Sequence, residues 1–146
     1  AKEALSAGAC TQAVENIIEA NTLLSGLGFE SCGLAAAHAI HDGLTMLPQC
    51  HHLYHGEKVA FGTLTQLVLE NADESEIHAV LSFCRSVGLP TTFADLGLQG
   101  VTREELMRVA EAACAPTDTM GNMPFPVTAE MVADALLAAD AIARAL

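Results

Sequence analysis

A chain of 146 residues with a formal charge of −12 and only six Lys and Arg, scattered along it, has no basic cluster with which to neutralise phosphate. That argues against nucleic acid and against an anionic membrane surface as partners. No apolar run approaches bilayer length and no charged segment precedes an apolar one at the start, so a cytoplasmic protein free of the membrane is expected.

The apolar half of the chain (51%) is mostly Ala, Leu and Val, with no Trp and a single Tyr, which favours closely packed helices over aromatic-rich strands. The opening "AKEALSAGAC" has helical composition with no cap before it, as expected of a chain that begins inside a helix of something longer. Thr11, with Val14, Ile17, Ile18, Leu23 and Leu24, predicts a capped amphipathic helix stopped by Gly26 and Gly28. Ser31 to His41 predicts a second, nearly apolar helix ending at Asp42-Gly43. Irregular chain follows over 45–54, with Pro48 in its middle, and then a long helix from about His55 to Asn71 carrying Val59, Leu64, Leu67 and Val68.

"ADESEIHAVLSFCRSVG" predicts a helix with acidic residues in its first turn and Gly88-Leu89-Pro90 after its end. "FADLG" reads as a short helical turn. "TREELMRVAEAACA" opens with a capping box, Thr102 with Glu105 three residues on. "GNMPFP" is a loop, because two prolines and a Gly-Asn pair forbid a continuing helix, and Thr128 caps the last helix. No strand, repeat or low-complexity segment is expected: the chain is all-α, a compact multi-helix bundle forming a single domain over 1–146. Cys10, Cys32, Cys50, Cys84 and Cys114 are an odd number with no C-x-x-C pair, which predicts reduced thiols acting as small core residues.

Five of the six histidines fall within residues 35–62. His38 and His41, three apart on a helix, lie about 60° off a common line and can face one side. His55 stands at the start of the next helix, where unpaired N–H groups and the positive end of the dipole disfavour imidazolium. Neutral imidazole is the form that binds Zn²⁺ or Fe²⁺. A single histidine on an apolar helix is nevertheless more often a hydrogen-bonded core residue than a ligand. His51 and His52 read as loop residues, surface groups or donors behind a site. His78 beside Glu74 reads as solvated, and Asp42 before Gly43 as a turn residue more than a ligand. Spacing alone leaves the metal question open.

"EANTLLSGLGFESCGLAAAHAIHDGLTMLPQCHHLYHGEKVAFGTLTQLVLEN", residues 19–71, resembles glycerol dehydrogenases of the metal-dependent, iron-containing alcohol dehydrogenase family. The resemblance continues through "VGLPTTFADLG", "MRVAEAACA" and "NMPFPVT", and "GLAAAHAIH…HGEKVAFGTL" is its most specific part. It implies a zinc ion (iron in some relatives) held by two histidines and one aspartate. The histidines correspond to His38 and His55; His41 becomes a residue beside the site, and Phe29, in "GLGFES", lines the pocket where the polyol meets nicotinamide. Two histidines, a carboxylate and an open position suit a catalytic metal that lowers the pKa of a glycerol hydroxyl before hydride passes to NAD⁺.

Family members have two halves, an N-terminal α/β half that binds the dinucleotide and a helical C-terminal half with most of the metal site. This chain resembles the second alone. It carries no G-x-G-x-x-G or GGG-type loop after a strand, so no cofactor-binding residue is assigned within it. The aspartate ligand belongs upstream of Ala1. The resemblance thus implies a metal-site domain without the NAD-binding half, catalytically silent alone, whose exposed apolar face favours homo-oligomers or other self-association. The alternative is a stand-alone helical domain acting as a structural or interaction module.

Overall fold

The computed structural model describes residues 1–146 and is helical throughout, with no strand. It divides into two compact units, Ala1–Gly33 and Leu34–Leu146. No single helix is long and apolar enough to cross a membrane.

In the first unit, a short helix α1 (Lys2–Ser6) ends before Gly8, whose φ of 66° lies in the left-handed region that glycine adopts without steric cost. Thr11 takes the extended N-cap backbone of α2 (Gln12–Glu19), although its side chain makes no capping hydrogen bond. Contrary to expectation, Gly26 and Gly28 do not stop this helix. It runs on through a π-helical stretch, Ala20–Leu24, into α3 (Ser25–Cys32) and ends only at Gly33, with φ 76°. A helical glycine costs about 1 kcal/mol relative to Ala but forbids nothing, whereas a positive φ breaks the ladder. Along this helix only Val14 is buried; Ile17, Ile18, Leu23, Leu24, Leu27 and Phe29 are all exposed.

The second unit is built around α4 (Ala36–Leu44). This helix packs on α5 (His55–Leu69) and on α7 (Arg103–Ala113); both of these meet α8 (Ala129–Ala145), and α6 (Glu74–Ser86) packs on α5. Ala36, Ala39, Ile40, Gly43 and Leu44 form the buried stripe of α4, at the i, i+3, i+4, i+7, i+8 spacing of an amphipathic helix. They join Phe61 of α5, Leu106 and Val109 of α7, and Val132 and Leu136 of α8 in one core. Leu64, Leu81 and Ala143 make a smaller cluster where α6 reaches α5 and α8.

Two glycines let α4 sit this close to its neighbours. A Cβ on Gly62 of α5 would run into the carbonyl oxygen of Ala37, and a Cβ on Gly43 would run into that of Val109. The helix ends at Leu44, one residue beyond the Asp42-Gly43 end that the sequence suggested. The helix starts five residues later than expected, because Gly33 separates Ser31 and Cys32, which belong to α3, from Ala36. The chain leading into α4 is tied down by side chains from later elements. Thr119 Oγ1 donates to the Ala35 carbonyl (2.9 Å), Asn122 Nδ2 to that of Leu34 (2.7 Å), and Gln66 Oε1 accepts the otherwise unpaired Ala37 N–H (2.9 Å).

The expected caps at the later helices are present. Thr102 and Glu105 exchange backbone hydrogen bonds in a capping box, and Thr128 Oγ1 accepts from Met131 N–H. "GNMPFP" follows a 3₁₀ turn at Thr119–Asn122 and is otherwise irregular, as expected. Residues 93–97 form turns with no helix. There the Asp95 carboxylate accepts N–H bonds from Thr91 (3.0 Å) and Thr92 (2.9 Å), and the buried Asp140 of α8 accepts the Phe93 N–H (2.8 Å). All five cysteines are free thiols. Cys50 and Cys84 are buried and Cys114 is half-buried, but Cys10 and Cys32 are exposed, so the core role expected for all five fails for those two. Both lie in the unit where almost nothing is buried.

Two outcomes follow from this packing. Gly62→Ala should destabilise the protein by about 1–3 kcal/mol, the usual cost of overpacking, because the atom it strikes is backbone. Gly56→Ala, with open space around it, should be neutral or slightly stabilising in the same urea titration. At Asp95, partial burial pushes the carboxyl up, but the hydrogen bonds from Thr91 and Thr92 outweigh it and hold the group below its ordinary value. A depressed folded-state pKa contributes stability that is complete above the unfolded value, near 4, and is lost as pH falls through the folded one. The stability gap between the parent chain and Asp95→Ala should therefore be present at pH 7 and shrink below about pH 4, as read by unfolding midpoints across that range.

Candidate metal centre

On α4, the residues facing away from the core stripe include His38 and His41. The first residue of α5 is His55, delivered by the turns of 45–54. The close crossing at Ala37 and Gly62 brings these two helices together, and the three imidazoles converge at one edge of it. The His38 and His55 ring centres are 5.3 Å apart and tilted by 42°. The His41 and His55 rings meet edge to face with centres 4.3 Å apart, and His55 Nδ1 lies 3.1 Å from His41 Nε2. His41 Nδ1 in turn lies 2.8 Å from Asp42 Oδ1.

His38 is half-buried and held below its ordinary pKa, first by burial and then by the charge that His55 and His41 would carry; Asp42 opposes this weakly. His41, with a side chain only 13% exposed, is lowered mainly by burial, which the Asp42 hydrogen bond opposes without reversing. Both rings are therefore neutral near pH 7 and keep a lone pair.

Geometry separates the pairs. Two imidazoles on one tetrahedral Zn²⁺, each with its nitrogen at about 2.0–2.1 Å, have ring centres roughly 5 Å apart. The separation of His38 and His55 matches that figure, whereas His41 is bound to His55 ring nitrogen to ring nitrogen. The donor set nevertheless stops at two, since no three His, Cys, Asp or Glu side chains are gathered so as to hold a metal ion by themselves. The Asp42 carboxylate is committed to His41.

The remaining predicted residues have other surroundings. His51 is exposed with Nε2 2.9 Å from the Thr45 carbonyl, and His52 is exposed. His78, on α6, sits 3.5 Å from Glu74. Phe29 lies on α3 in the first unit, exposed at 59%.

One residue that spacing did not single out is Lys58. Its side chain is buried, and Nζ donates to the Leu53 carbonyl (2.7 Å) and toward that of Cys50 (3.4 Å), pinning the turn that leads into His55. The signal was a lysine one turn after a histidine in an otherwise apolar helix, and only the fold shows that it points inward. Glu57 closes the same start of α5 by accepting the Tyr54 N–H (2.6 Å).

An all-helical domain with two imidazoles paired across a tight helix crossing is the class of molecule that these features define. Along these residues the chain is a homologue of glycerol dehydrogenases. It is 57% identical over 144 residues to the glycerol dehydrogenase of Citrobacter freundii, covering 99% of this chain and 40% of that protein. It is 56% identical over 144 residues to that of Thermotoga maritima, with the same coverages. A crystal structure of a probable glycerol dehydrogenase from Sinorhizobium meliloti 1021 superposes with a TM-score of 0.92 at 59% identity, covering 99% of this chain and 41% of that one. The chain thus spans about 40% of the length of the curated relatives it matches. No protein-family model matches it.

Proposed function

We propose that this chain is the metal-holding helical part of an NAD-dependent oxidoreductase that converts glycerol, or a similar small polyol, to dihydroxyacetone, hydride passing to NAD. The observation that carries the reading is the pairing of His38 with His55 at the separation that two ligands of one zinc adopt, in a chain homologous to glycerol dehydrogenases over nearly its whole length. Zinc, or iron in its place, would act there as a Lewis acid toward a substrate hydroxyl. His38 and His55 supply two nitrogen donors, with a carboxylate required from outside these residues. His41 lies behind His55, and Phe29 belongs to the polyol pocket. The residues of this chain include no dinucleotide cradle, so the chain by itself is catalytically silent, and the complete enzyme acts in the cytoplasm as an oligomer.

A second reading, a helical interaction module without catalysis, has its own support in the row of Ile17, Ile18, Leu24 and Leu27 exposed along one long helix. A partner-free monomer by light scattering at high concentration removes the support for the module, while zinc binding decides the metal reading.

Calorimetric zinc titration tests the metal reading. The parent chain should bind zinc one to one. His38→Ala and His55→Ala should each weaken binding at least about tenfold, a loss of about 1.4 kcal/mol or more, while His78→Ala should match the parent. Equal retention in all three variants overturns the assignment.

A further inference from the structure

The hydrogen bonds among Asp42, His41 and His55 determine which nitrogen of each ring carries the proton. An ionised carboxylate only accepts, so at Asp42 Oδ1 the 2.8 Å contact requires a proton on His41 Nδ1. A neutral imidazole has one N–H, which leaves His41 Nε2 as an acceptor. The 3.1 Å contact from His41 Nε2 to His55 Nδ1 is then a hydrogen bond donated by His55 Nδ1–H. With its proton on Nδ1, His55 keeps its free lone pair on Nε2.

We propose that Asp42 is a positioning residue: through His41 it locks His55 in the Nδ1–H form and makes Nε2 its donor nitrogen. That Nε2 then serves a metal rests on the proposed function; the lock itself does not. The device has the logic of the carboxylate–imidazole pairs that orient metal ligands, lengthened by one ring. Its parts are suited to it. The Asp42 side chain is 57% exposed, whereas that of His41 is only 13% exposed, so its ring nitrogens are largely shielded from competing water. Asp42 and His41 are adjacent on α4 and His55 begins α5, so the chain of bonds spans the helix crossing. Sequence spacing alone, with Asp42 directly before a glycine, pointed to a turn instead.

Long-range ¹H–¹⁵N correlation of the imidazole rings at pH 8, in the metal-free full chain with chelator present, reads the tautomers directly. Both His41 and His55 should carry their proton on Nδ1. Asp42→Ala should release His41 and turn His55 toward the Nε2–H form, which a free neutral imidazole prefers. Asp42→Asn, whose amide oxygen still accepts, should restore both rings. A parent chain with the His55 proton on Nε2, or an Asp42→Ala chain with both rings unchanged, overturns the proposal.

Zinc titration of the same proteins should show binding weakened about 10–100-fold in Asp42→Ala and recovered in Asp42→Asn. A parent chain with the expected tautomers that binds no zinc supports the lock and refutes the metal reading, so the two fail separately.

Discussion

The second unit depends on the approach of α4 to α5 at Ala37 and Gly62. With no side chain on Gly62 and only a methyl on Ala37, two helix backbones come into contact, and Gly43 allows the same against α7. Close backbone approach maximises dispersion contact per unit length and leaves no room for a side chain to adjust. The alanines of "AAAHAIH" therefore belong to a tight seam, and the two histidines among them are carried to its edge by helical periodicity.

That seam sets the chemistry available there. Each imidazole reaches the cluster by a different route. His38 and His41 are placed by the phase of α4, and His55 by the turn of 45–54, which is held by the buried ammonium of Lys58. Because the helices cannot slide without a clash, the distance between His38 and His55 is a property of the core. Burial keeps His38 and His41 neutral, so the same packing that positions the rings also preserves their lone pairs. A site mounted on two packed helices is held more firmly than one mounted on loops.

The first unit differs in kind. One long helix carries six large apolar side chains in the open and buries little, so its conformation is supported mainly by its own backbone ladder. Helices of this length are marginal by propensity alone and draw their stability from an apolar face that is covered. The exposed row is the feature through which this part of the chain would meet other apolar surface.

Most of the helices were legible in the residues. Thr102 with Glu105, Thr128 and the Pro-rich "GNMPFP" mark boundaries that the structure keeps, because caps and prolines act within a few residues of chain. The misplaced boundaries are at glycines. Gly26 and Gly28 lie inside a helix, whereas Gly33 ends it, and a glycine's conformation is chosen by its surroundings since it has no preference of its own. In the site, the concentration of histidines and the homology of "AAAHAIH" and "HGEKVA" were readable. The partnership of Asp42 with His41, and of Lys58 with the Leu53 carbonyl, was not.

What the sequence by itself determined is the helical class, the caps, the apolar stripes and the presence of imidazoles at helical spacing, because each depends on neighbours three or four residues away. Tertiary structure alone decided which histidine faces which, which carboxylate is already engaged, and that a lysine is buried. Those facts depend on contacts such as His41 with His55, fourteen residues apart, or Asp140 with Phe93, forty-seven apart. Such pairs form only when separate helices pack, and no local pattern encodes the angle at which they cross.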